Sequence, residues 1–108
     1  MRTMRRASGR GAAADERGGG TVSNQKIEVI AHCDAFGAMR PLRFRFEDEH
    51  HGLRAASVTE IVSEREIRYV GIEMLQYICK AILNGAERMF ELRYTVRSHS
   101  WTLYRVIY

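Results

Sequence analysis

Disulfide chemistry, proline and long apolar runs are all scarce in this chain. Two cysteines in 108 residues are too few for the cross-linked scaffold of a small secreted domain. No apolar run approaches the roughly 18 residues of a membrane-spanning helix, so that class is excluded and no membrane partner is expected. The chain has no Gly-x-Gly-x-x-Gly, no P-loop and no His-Glu-x-x-His. Its one triple glycine, at 18–20, leads into no Lys-Ser/Thr, so phosphate-cradling chemistry has no sequence signal. Neither Cys33 nor Cys79 has a close Cys or His at zinc-ligand spacing, and His50-His51 sits in a charged turn. No metal or cofactor is expected. Cys33, His99 and several acids supply the parts of a nucleophile triad, but no nucleophile elbow holds them, so catalysis is not expected.

What is present is an ordinary globular composition, 45% hydrophobic and 28% charged, with room for one domain. The net charge of +4 invites a nucleic-acid reading. Most of that charge belongs to residues 1–21, where five arginines face only Asp15 and Glu16. The rest of the chain is close to neutral. Residues 1–21 are rich in Arg, Gly and Ala and lack the apolar segment of a secretory signal, so a disordered basic tail is expected. Residues 16–20 are encodable by a purine tract resembling a ribosome-binding site. Val22, read as Met, then stands where translation would start, and the folded domain is expected at 22–108.

From Gln25 onward the dominant period is two. Ile27, Val29 and Ala31 alternate with Glu28, Ile30 and His32, which predicts a strand. Leu42, Phe44 and Phe46 alternate with Arg43, Arg45 and Glu47 and predict a second, entered by Pro41. Residues 53–65 read as a bent strand followed by a loop through Gly71. A short helix near 58–66, capped by Ser57 with Glu60, is the alternative. Asn84-Gly85 is the strongest hairpin signal, because a type I′ turn needs positive φ at both positions. A two-residue turn there sets Cys79 opposite Phe90, Tyr77 opposite Leu92 and Leu75 opposite Tyr94, all apolar or aromatic. A slip of one residue would mix the faces. A further turn at Ser98-His99 predicts Val96 opposite Trp101, Tyr94 opposite Leu103 and Phe90 opposite Ile107. In that register Arg105 falls opposite Leu92, against the pattern. The expected fold is all-β: about six mostly antiparallel strands closing into a small barrel or a strongly bent meander sheet.

Ile27-Glu28-Val29-Ile30, Pro41-Leu42-Arg43-Phe44, Tyr77-Ile78-Cys79, Asn84-Gly85, Phe90-Glu91-Leu92 and Trp101-Thr102-Leu103, in that order and spacing, resemble a family of small, uncharacterised bacterial β proteins. The resemblance covers about residues 26–108. It implies the fold, a bacterial source and no particular site residue.

The candidate site is a binding surface. Arg43, Arg45, Arg93 and Arg97, with Tyr104, are the residues expected to contact a partner, because small barrels bind nucleic acid where basic and exposed aromatic residues interleave. Cross-strand pairing with Glu47, Glu87 or Glu91 would explain the same pattern without a ligand. Ile78, Ile82, Met89 and Val106 on the outer face require a cover, either residues 53–65 or a second copy. The expectation is a non-enzymatic, cytoplasmic module that binds a macromolecular partner, an unknown protein or a nucleic acid, as monomer or homodimer. An RNA- or DNA-binding accessory protein is the first alternative, and a small-ligand enzyme the second.

Overall fold

In the computed structural model, which describes residues 24–108, six strands run in chain order around a closed barrel. They are β1 (Gln25–Cys33), β2 (Met39–Glu47), β3 (Leu53–Tyr69), β4 (Ile72–Leu83), β5 (Ala86–Thr95) and β6 (Ser100–Val106). Every neighbour is antiparallel, and β6 returns to β1 through Gln25–Leu103, Lys26–Thr102 and Ile27–Trp101. The expected tail at 1–21 and the start at Val22 lie outside the described residues.

Alternation selects what fills the interior. Ile27, Val29, Ala31, Phe44, Phe46, Tyr77, Cys79, Phe90, Leu92, Trp101 and Leu103 form one buried cluster. Phe44 and Phe90 meet edge to face, with centroids 5.1 Å apart at 80°, while Trp101 lies tilted against Tyr77 and Tyr94. Ala56 on β3 and Ala81 on β4 are fully buried small residues that leave room for those rings. Asn84 and Gly85 take φ of 53° and 79°, the positive pair that a type I′ turn requires, and the β4–β5 register is the one the turn predicts, with Cys79 opposite Phe90.

Four expectations are corrected. The bent strand expected over 53–65 is present, but no helix forms and no loop follows it: β3 runs 17 residues to Tyr69, its register shifting between Val58 and Glu60 and between Ile61 and Ser63. Those bulges bend the strand around the barrel, which a regular strand of that length could not follow. Leu42 points outward and is 42% exposed, because Ile30 pairs with Arg43 while Ala31 pairs with Pro41, leaving Leu42 as the extra residue. The β5–β6 turn spans four residues, with His99 N–H donating to Val96 O and His99 at φ 54°. Tyr94 therefore faces Trp101, and Leu92 faces Leu103. Last, a register shift then sets Arg105 opposite Glu91 and Val106 opposite Phe90, so Val106 packs on the core where Ile107 was expected. Residues 53–65 are barrel wall rather than a cover for its outer face.

Candidate functional site

Because β2 and β5 stand three strands apart in either direction around a six-stranded barrel, the candidate arginines do not share a face. Arg43 and Arg45 project from β2, and Arg93 from β5. Arg97 sits in the β5–β6 turn, beside a shallow concavity that Arg68, Glu73 and Val96 also line. Arg45 Nε donates to Glu28 Oε1 at 3.0 Å, across the β1–β2 ladder, so its charge is matched by a neighbour. Arg43 has no ion-pair partner among the described residues.

Arg93 and Tyr104 are brought together: the guanidinium carbon lies 3.6 Å from the ring centroid. That stack occupies one face of the ring. Beneath it lies Glu91, which is 1% exposed and the only charged residue buried among those described. Arg93 Nε donates to its Oε2 at 2.9 Å, Gln76 Nε2 to Oε2 at 2.7 Å, and Arg105 Nε to Oε1 at 2.7 Å. Burial by itself pushes this carboxyl up, but the Gln76, Arg105 and Arg93 hydrogen bonds outweigh it and hold the group below the ordinary carboxylate range. Gln76 on β4, Arg93 on β5 and Arg105 on β6 thus all donate to one carboxylate, which makes it an anchor between the three strands. Glu91 was legible as an outward residue beside Arg93; its burial follows from the bulge at Tyr104, which no local signal marks.

The opposite end of the barrel carries an open concavity lined by Asp48, His50, Arg54, Asn84, Arg88 and Phe90. Glu49 lines it too, and of the two carboxylates Asp48 is committed within the turn. Asp48 accepts from Arg54 Nε at 2.7 Å, Gly52 N–H at 2.8 Å and His50 N–H at 2.9 Å, which pulls its pKa down to about 2. These bonds close the β2–β3 turn. Cys79 is buried and its thiol is pushed up to about 12 by desolvation, so it is chemically inert in the fold, while Cys33 is exposed.

One surface feature had no counterpart in the sequence reading. β3 pairs with β2 only from Leu53 to Ser57, and with β4 from Ser57 to Tyr69. From Thr59 onward its other edge faces no strand among the described residues. Where β3 leaves β2, Tyr77 Oη donates to the Met39 carbonyl at 2.6 Å and ties β4 to β2 in its place. The free edge carries Val62, 46% exposed, and ends in an exposed tip, with Tyr69 68% and Val70 80% exposed. Edge strands of this length are usually blunted or covered, because their unpaired N–H and C=O groups template further pairing. No protein-family model, no curated protein and no solved structure matches this chain.

Proposed function

We propose that the protein is a non-enzymatic, protein-binding module that engages its partner by strand addition along the free edge of β3. The observation that carries this reading is the half-strand from Thr59 to Tyr69, which among the described residues pairs on one side only. In strand addition, main-chain bonds supply affinity and alternate side chains supply selectivity. The nucleic-acid alternative has less support: Arg45 and Arg93 are engaged by Glu28 and Glu91, β2 and β5 face apart, and Arg93 covers the one aromatic placed beside it. Two unpaired thiols suit a reducing, cytoplasmic compartment, and a bacterial source follows from the resemblance alone.

The test is capture from the native host with the full chain, nuclease-treated and untreated, beside Glu64→Pro. Counting back from the tight turn at 70–71, the Glu64 N–H points to the free edge, so proline there deletes an edge donor and leaves the β4 ladder intact. Protein capture that resists nuclease and is lost in Glu64→Pro supports the reading. Capture of RNA or DNA, falling steeply with salt, replaces it with the nucleic-acid alternative.

A further inference from the structure

The free edge of β3 is self-complementary in one register, and we infer that its partner is a second copy of this chain, paired antiparallel about a two-fold axis at Ile67. This rests on the strand-addition reading and names the occupant. Val70 and Gly71, at φ 51° and 77°, make a two-residue turn, so Tyr69 and Ile72 exchange the hydrogen bonds nearest the tip. Alternation back along the strand then turns the N–H and C=O groups of Arg68, Glu66 and Glu64 toward the free edge. Side chains alternate as well: Glu64, Glu66 and Arg68 share the face of Tyr77, Leu75 and Glu73, with Arg68 Nη2 donating to Glu73 Oε2 at 2.9 Å, whereas Arg65, Ile67 and Tyr69 share that of Gln76, Met74 and Ile72.

Two-fold pairing of two such edges preserves the faces, so residues meet only partners of their own face. Five centres satisfy this between Glu64 and Arg68. A two-fold at Glu64, Arg65, Glu66 or Arg68 sets that charged residue against its own copy, which like charges directly opposite oppose. Centring on Ile67 instead places Ile67 against Ile67, Glu66 against Arg68 twice, and Arg65 against Tyr69 twice. Glu66 and Arg68 are also the residues whose backbone groups face outward, so the charge pairs and the four backbone hydrogen bonds coincide. The charges that would ordinarily keep an edge apart here select one register. Each copy uses its edge once, so the assembly closes at two chains. Ile72, Met74 and Tyr69 continue the apolar surface around Ile67 on both copies. The contact is short, which makes the dimer small and concentration-dependent.

Sedimentation of the full chain from about 1 μM to about 1 mM, a span that covers weak association, reads the stoichiometry. Glu66→Lys alone sets Lys against Arg68 twice, and Arg68→Glu alone sets Glu against Glu66 twice. Each variant is expected to lose at least ten-fold in dimer affinity, with its circular dichroism unchanged. Mixed one to one, they juxtapose Lys with Glu and Glu with Arg, and a mixed dimer is expected to return. Ile67→Cys in a Cys33→Ser background is expected to oxidise to a covalent dimer, since non-hydrogen-bonded partners lie about 4.5 Å apart at Cα, within disulfide reach. A chain monomeric at every concentration overturns the inference, as does a dimer indifferent to these variants or a mixture that stays monomeric. Nuclease-resistant capture of a different protein, lost in Glu64→Pro, would then leave the strand-addition reading standing with another occupant.

Discussion

Glu91→Gln is the sharpest perturbation available, because it keeps shape and removes one charge from a buried cluster. The wild-type carboxylate accepts from Gln76, Arg93 and Arg105 at 2.7 to 2.9 Å while 1% exposed. The amide retains one acceptor oxygen and turns a donor toward groups that are themselves donors. Removing one side of a buried ion pair costs about 3–5 kcal/mol. The side chains of Arg93 and Arg105 are 22% and 51% exposed and regain some hydration, which brings the expected loss to about 3 kcal/mol. For a domain of this size that lowers Tm by about 12–24 °C. Urea unfolding followed by the fluorescence of Trp101, buried at 1% exposure, reads the same loss. The pH dependence gives a second check. The folded pKa of Glu91 lies below its unfolded value, so its contribution is complete above about pH 4.5 and fades as pH falls through the folded value. Wild type and variant should therefore converge in acid. Glu87→Gln, exposed on the same strand, is expected to stay within about 0.5 kcal/mol of wild type. A Glu91→Gln protein as stable as Glu87→Gln at neutral pH refutes the anchoring role.

Tyr77→Phe leaves the Met39 carbonyl without its donor and is expected to cost about 1–2 kcal/mol in chemical denaturation. Val70→Asn relieves a β-branched residue at φ 51° and is expected to raise Tm by about 4–8 °C, as about 1 kcal/mol of relieved left-handed strain would. A thiol reagent should label Cys33 alone in the native protein and both cysteines in denaturant, read by intact mass, because Cys79 is fully buried. Asp48→Asn should be less stable than wild type at neutral pH. The difference should disappear as pH drops from about 4 toward about 2, since the Asp48 carboxyl is depressed in the fold and contributes only while ionised.

Much of the candidate site was legible as a list of residues and little of it as an arrangement. Arg93 and Tyr104 were both placed on the outer face, and the structure stacks one on the other. Arg43 and Arg45 were grouped with them, yet closure of the barrel carries β2 to the far side from β5. A linear pattern gives each residue a face of its own strand; it does not state which way that strand looks once six of them wrap around a core.

Amino-acid order alone determined the features whose causes lie within a few residues: alternation in β1 and in β2 from Arg43 onward, the Asn84-Gly85 reversal, and through it the full β4–β5 register. Tertiary structure decided the bulges at Leu42, near Thr59, at Val62 and at Tyr104, and with them the burial of Glu91, the pairing of Arg105 and the place where β3 parts from β2. The physical reason is closure. A flat strand can keep its period indefinitely, but strands joined into a cylinder must coil and stagger, and the extra residues that permit this are set by the circumference of the whole sheet.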